Sequence, residues 1–143
     1  MDKLQILRSA VRLPFRFAVG AAASRFYRAL RDEKTLYGTR CGGCGKVSVP
    51  ARSFCSHCRQ APAQWIALPD HGILVGWCDS PTQAGFLTAL IRLPGADNLL
   101  LHRVPKATPL RQGLAVKARW AESRTGAITD IECFQPVGGE VDP

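Results

Sequence analysis

No stretch of this sequence approaches the roughly 20 consecutive apolar residues that cross a bilayer, so a membrane-embedded protein is not expected. Cysteine is sparse and unevenly placed, six residues in 143, which argues against a disulfide-stapled secreted miniprotein. The chain has no G-x-G-x-x-G, no phosphate-binding P-loop and no recognisable Ser/His/Asp or Cys/His arrangement. It also has no internal repeat and no low-complexity tract. Acidic residues are few, 11 against 19 Lys and Arg, and the deficit is local. Residues 1–40 hold nine Lys/Arg and three Asp/Glu, whereas residues 41–143 hold ten and eight. The excess of positive charge therefore belongs to the N-terminal segment. The nearly neutral remainder weakens the case for a nucleic-acid binder, despite a pI near 9.6.

What is present is enough to fold. Hydrophobic residues make up 46% of the chain and charged residues 21%, and the length suits one domain or two small modules. The Arg-rich, acid-poor N-terminus has the composition of a mitochondrial presequence, but it also reads as an amphipathic helix that stays on the mature protein, and the second reading is preferred. The cysteine usage and the absence of a good secretory signal predict a reducing, cytoplasmic setting.

Composition divides the chain into four parts. Residues 1–37 read as amphipathic helices. Phe15, Val19, Ala22, Phe26 and Leu30 recur at three- and four-residue steps on one face, with Arg16, Arg25, Arg28 and Arg31 elsewhere on the helix. Pro14 separates this helix from a shorter one carrying Leu4, Leu7 and Val11. The stripe must pack either on the rest of this chain or on a partner. Residues 38–62 form a cysteine module. Residues 63–137 read as five strands without a helical period, which suits a small closed barrel of the OB type. These strands are predicted at Gly72–Asp79, with Ile73, Val75 and Trp77 on one face, then Phe86–Leu93, with Leu87, Ala89, Ile91 and Leu93 alternating, Asn98–Val104, Leu114–Trp120, with Leu114, Val116, Ala118 and Trp120 facing in, and Ala127–Phe134. Residues 138–143 read as a frayed tail. The predicted fold is mainly β, with helices at the N-terminus, a rubredoxin-like zinc ribbon and a five-stranded OB barrel.

The strongest chemical signal is Cys41-Gly-Gly-Cys44 followed, after ten residues, by Cys55-Ser-His-Cys58. Two C-x-x-C knuckles can place four thiolates around one tetrahedral metal, which closes its coordination sphere and makes the site structural. Zinc is the default metal, and iron in a rubredoxin-like site is the rival. His57 lies inside the second knuckle but is not needed as a ligand. His71 and His102 are isolated from any carboxylate or cysteine in sequence. Cys78 and Cys133 fall in predicted strands, and Cys133 is read as a small buried hydrophobe.

The order of these parts resembles one family. A basic helix ending in Ser24-Arg25-Phe26-Tyr27-Arg28-Ala29-Leu30 leads to Gly38-Thr39-Arg40-Cys41-Gly42-Gly43-Cys44. Val49-Pro50-Ala51-Arg52-Ser53-Phe54-Cys55-Ser56-His57-Cys58 and Trp65 follow, with Gly126-Ala127-Ile128-Thr129-Asp130-Ile131-Glu132-Cys133-Phe134 near the end. The chain is similar, over about residues 24–137, to the zinc-ribbon/OB-fold proteins that accompany acyl-CoA enzymes, long catalogued as a domain of unknown function. It departs from them at Ala51, where the family usually has a second proline. The resemblance implies a non-catalytic accessory subunit of a hetero-oligomer, whose partner is a thiolase, acyltransferase, acyl-CoA hydratase or steroid-side-chain aldolase of lipid or aromatic-compound metabolism. On that footing the N-terminal helices and ribbon would dock on the partner, with Phe15, Val19, Phe26 and Leu30 as contacts. The barrel would hold or cover acyl-CoA, with Arg52, Arg103, Lys117 and Arg119 as candidates for its phosphates and Trp65 and Trp77 for its acyl-pantetheine arm. The competing readings are a nucleic-acid-binding module, with nucleic acid the less favoured partner, and a rubredoxin-like electron carrier.

Overall fold

A computed structural model describes residues 4–80, 83–106 and 109–138. The segment from residue 4 to residue 19 has neither helix nor strand, and Leu4, Leu7, Val11 and Phe15 all stand exposed. Among the described residues the one α-helix is α1 (Gly20–Glu33), which starts at a glycine with φ of 81°. This corrects the expectation of a shorter first helix and a long second one. Pro14 interrupts the segment, and a short helix without a surface to pack on is marginal in water. From Gly20 onward such a surface exists. Ala22, Phe26, Ala29 and Leu30 form the buried stripe of α1, and the helix stops at Lys34, whose left-handed backbone lets its N–H return to the Ala29 carbonyl.

The expected partner face is therefore split. Phe26 and Leu30 are 1% and 0% exposed inside this chain's own core and are not available to a partner. Phe15 and Val19 are 77% and 43% exposed and lie outside the helix.

After α1 comes a three-stranded antiparallel sheet in the order β2 (Val47–Ser48), β1 (Leu36–Cys41), β3 (Pro62–Leu68). The strand from Pro62 to Leu68 pairs with β1 over its whole length, so the sheet bearing the cysteines runs six residues beyond the module read as 38–62. Five more strands follow: β4 (His71–Cys78), β5 (Phe86–Arg92), β6 (Leu100–Pro105), β7 (Ala115–Trp120) and β8 (Ile131–Pro136). Their order is β6-β5-β4-β7-β8, with every neighbour antiparallel. In barrel numbering this is 3-2-1-4-5, the order of an OB barrel. The edge strands β6 and β8 consequently run parallel and meet. Arg103 Nε donates to the Glu132 carbonyl at 2.6 Å, and His102 Nε2 lies 3.2 Å from the Ile128 carbonyl oxygen.

Alternation places the expected residues inward on β5 (Ala89, Ile91) and on β7 (Val116, Ala118), with Leu93 buried just past β5. On β4 the core residue is Leu74, opposite the Ile73 face, and a register shift between Leu74 and Gly76 breaks the alternation. Glycine is required at Gly72, where a Cβ would collide with the Arg92 carbonyl of the neighbouring strand. The fifth barrel strand starts at Ile131 rather than Ala127. A 3-10 turn at Ile128–Asp130 occupies the difference, and the buried Asp130 carboxylate there accepts the N–H groups of Thr125 (2.9 Å) and Gly126 (2.8 Å). Helix, ribbon and barrel share one core, in which Phe26, Leu30, Val47, Val49, Leu74 and Phe134 belong to the same cluster. No helix among the described residues is long and apolar enough to cross a membrane. The expected frayed tail falls, from residue 139 on, outside the described residues.

Two substitutions test this packing. Phe26→Ala should cost about 3–5 kcal/mol of stability through the cavity it leaves. Asp130→Ala should cost about 2–4 kcal/mol by orphaning two backbone N–H groups. Urea unfolding of the zinc-loaded chain checks both, and a loss below about 1 kcal/mol at either position contradicts the buried placement.

Candidate metal centre

The two knuckles are built alike. Strand β1 ends at Cys41, and the chain turns through Gly45, whose φ is 73°, back into β2. Cys41 N–H donates to the Lys46 carbonyl at 2.8 Å, and Gly45 N–H donates to the Cys41 carbonyl at 3.1 Å. The second turn repeats this pattern, from Cys55 N–H to the Gln60 carbonyl and from Arg59 N–H to the Cys55 carbonyl, each at 2.9 Å, with Arg59 taking the left-handed backbone. Within each turn, backbone N–H groups point at sulfur. Gly43 and Cys44 donate to Cys41 Sγ at 3.3 and 3.5 Å, and His57 N–H donates to Cys55 Sγ at 3.4 Å.

These turns bring all four sulfurs within 4.8 Å of one another. Cys41 Sγ and Cys58 Sγ are 3.3 Å apart, and Cys44 Sγ and Cys55 Sγ are 3.6 Å apart. No pair is bonded, and all six cysteines are free. A tetrahedron with Zn–S bonds of about 2.3 Å has edges of about 3.8 Å, so the four thiolates are spaced for zinc. Four sulfur ligands complete the shell and leave no position for water or substrate. The metal's contribution is to fix the two turns against each other.

The electrostatics favour metal uptake. The Cys44 N–H, assisted by Cys58 and the Gly43 N–H, holds the Cys41 thiol at about 6. The N–H of Cys58, with that of His57, lowers Cys55 as well. The Lys46 N–H favours a thiolate at Cys44, but burial and the neighbouring Cys55, Cys58 and Cys41 outweigh it and push Cys44 up to about 11. The turn N–H groups thus favour thiolate at Cys41 and Cys55, as metal binding requires.

The remaining candidates do not form one cluster. Arg103 and Arg119 meet at Glu132, Arg103 through the carbonyl and Arg119 Nε through the carboxylate at 2.9 Å. The Arg103 guanidinium also lies 4.3 Å from the centroid of the Phe86 ring. Lys117 Nζ sits 3.9 Å from an Asp70 carboxylate oxygen, and His71 Nδ1 is 3.7 Å from the other. Arg52 belongs to the ribbon, where its backbone exchanges hydrogen bonds with the Thr39 hydroxyl. Trp65 is on β3 of the ribbon sheet, under the Arg25 guanidinium at 4.2 Å and edge-on to Tyr37. Trp77 is half-exposed on β4 of the barrel, so the two tryptophans stand on different sheets. Cys133 is fully buried, and burial raises its thiol pKa, in keeping with a packing role. Cys78 is exposed. Sequence reasoning missed Gln83, Asp97 and Asn98, gave His102 no role, and met Asp130 only as part of the Gly126–Phe134 stretch. The significance of Asp97, Asn98 and His102 comes from contacts across the fold.

Fold and site together define a zinc-ribbon protein with an OB barrel. Residues 28–62 match the family described as ChsH2, rubredoxin-like zinc ribbon domain. A DUF35-family protein of unknown function from Sulfolobus solfataricus has a similar fold, at TM-score 0.58 and 21% identity over 82% of this chain and 84% of that one. A chain of the Ltp2-ChsH2(DUF35) aldolase is similar at TM-score 0.60 and 18% identity, over 85% of this chain and 98% of that one. The resemblance read from the sequence is borne out in the ribbon and in the fold.

Zinc titration of the reduced chain should saturate at one metal per chain and release protons, including the one held by Cys44, and affinity should fall as the pH is lowered. Cys58→Ser should lose most of the metal and lower the unfolding midpoint. Elemental analysis showing full zinc in Cys58→Ser contradicts a four-thiolate site.

Proposed function

We propose that this chain is a non-catalytic accessory subunit that docks on an acyl-CoA enzyme of the thiolase type and helps hold or cover its acyl-CoA substrate. The observation that carries the reading is the N-terminal arm. Over residues 4–19 it presents Leu4, Ile6, Leu7, Val11, Leu13, Phe15, Phe17 and Val19 to solvent. A folded protein rarely leaves so many large apolar side chains together without a partner. Arg8, Arg12 and Arg16 alternate with them, so the matching surface is an apolar groove with acidic margins. The scaffold behind the arm is held by its own core and a metal centre whose ligands are all protein. The similar fold in a protein described as an Ltp2-ChsH2(DUF35) aldolase supports an enzyme partner.

The four cysteines would carry structural zinc and no catalytic step, and the reacting groups would belong to the partner. For the coenzyme, Arg52 and the Arg103–Arg119 pair are the cationic groups nearest to the expected role. Arg103 and Arg119 already hold Glu132 through Nε, so they would meet phosphates through their remaining N–H groups.

Mild affinity capture of the tagged chain from its own cells, with identification of what accompanies it, tests the proposal. A stoichiometric thiolase, acyltransferase, hydratase or aldolase is expected. Recovery of nucleic acid, or of no enzyme, contradicts it. The double variant Phe15→Asp, Phe17→Asp should abolish capture while leaving zinc content and the unfolding midpoint unchanged, because both rings are exposed. Capture that survives the double variant means the arm is not the docking element.

A further inference from the structure

Among the described residues, two buried side-chain atoms have no hydrogen-bond partner, Oε1 of Gln83 and Nδ1 of His102. Both residues line the same cleft of about 200 Å³, beside the seam where β6 closes on the 3-10 turn. A buried polar atom without a partner requires an explanation, most often a water or a ligand. That both residues line one cleft singles it out.

The neighbours settle what the cleft asks of a ligand. The Ile128 carbonyl can only accept, so His102 Nε2 carries the proton. Burial lowers the His102 pKa from its ordinary value, so the ring is neutral at pH 7 and Nδ1 is a bare acceptor. Gln83 Oε1 is a second acceptor. The other polar lining is Arg103, anchored by Nε on the Glu132 carbonyl, and the hydroxyl residues Thr88 and Thr129, which can donate or accept. Leu101 and Ile128 supply an apolar wall. Two acceptors, a donor fork and an apolar wall complement a neutral group that bears N–H and C=O side by side. A phosphate or carboxylate fits poorly, because it has nothing to give the two acceptors.

We propose that this cleft binds a carboxamide and, resting on the acyl-CoA reading above, that it takes the pantetheine arm, whose secondary amides each carry one N–H and one C=O. The amide N–H donates to His102 Nδ1 or Gln83 Oε1, and the amide oxygen accepts from Arg103. The nucleotide end of the coenzyme lies outside this cleft.

The test uses the full zinc-loaded chain, isotope-labelled in its histidine rings. It is titrated separately with S-acetylpantetheine, which has the amides and no phosphate, and with adenosine bisphosphate, which has phosphates and no amide. S-acetylpantetheine should shift the His102 Nδ1 resonance, and the bisphosphate should not. Gln83→Met should weaken S-acetylpantetheine binding roughly two- to tenfold, the effect of one lost hydrogen bond. His102→Gln, whose amide can still donate to the Ile128 carbonyl, should weaken it by a similar factor. Unchanged unfolding midpoints show that both variants are folded. An unmoved His102 resonance, as expected of a cleft that holds only water, overturns the proposal. So does equal affinity in wild type and both variants. An acyl-CoA that binds without moving His102 overturns the cleft assignment and leaves the accessory-subunit reading standing. Failure to capture an acyl-CoA enzyme removes that reading alone, and a His102 shift with S-acetylpantetheine still establishes an amide site.

Discussion

Asp97 and Asn98 hold the zinc ribbon to the barrel, and the arrangement of everything else depends on that grip. Asp97 accepts the Val47 N–H at 2.7 Å through its carboxylate and donates its own N–H to the Val47 carbonyl at 2.8 Å. Asn98 treats Val49 in the same way, accepting its N–H at 2.8 Å and donating to its carbonyl at 2.6 Å. A loop of the barrel thus takes the place of a neighbouring strand along the free edge of β2. Four such bonds are worth about 2–6 kcal/mol net, and breaking them would orphan buried backbone groups at a greater cost. Val47 and Val49 meanwhile send their side chains into the shared core. A metal on the four cysteines would close the ribbon from its far end, and the shared core joins helix, ribbon and barrel into one body.

That body explains the division of labour proposed for the chain. Its apolar stripe on α1 is used internally, and four of its six cysteines would be taken up by a metal with no vacant position. The arm before Gly20 has no such internal use. It is also basic, with Lys3, Arg8, Arg12 and Arg16 against the single acid Asp2. A stable body with an apolar, basic arm suits a subunit whose role is completed by another protein.

The parts legible in the sequence are those governed by local spacing. Metal coordination requires two cysteines per turn, so Cys41, Cys44, Cys55 and Cys58 could be read directly. Period-two alternation exposed β5 and β7, where Ala89, Ile91, Val116 and Ala118 face the core. The failures have a common cause. Periodicity says which residues would share a face if a helix formed, but it does not supply the surface that makes the helix stable. Phe15 and Phe26 fit one stripe in sequence, yet only Phe26 has a core to enter. The bulge in β4 and the turn at Asp130 are likewise set by neighbours. Arg103 and Arg119 are 16 residues apart and meet only because β6 and β7 both border β8. Gln83 and His102 left no trace in the sequence because nothing local distinguishes them from surface residues.

The most direct test of this account is hydrogen exchange measured on the zinc-loaded chain, alone and in complex with its captured enzyme. The account predicts that amides of residues 4–19 exchange without protection in the free chain and become protected in the complex. Those of β1, β2 and β5 should be equally protected in both. An arm already protected in the free chain, or still unprotected in the complex, would contradict the claim that this segment waits for a partner's surface.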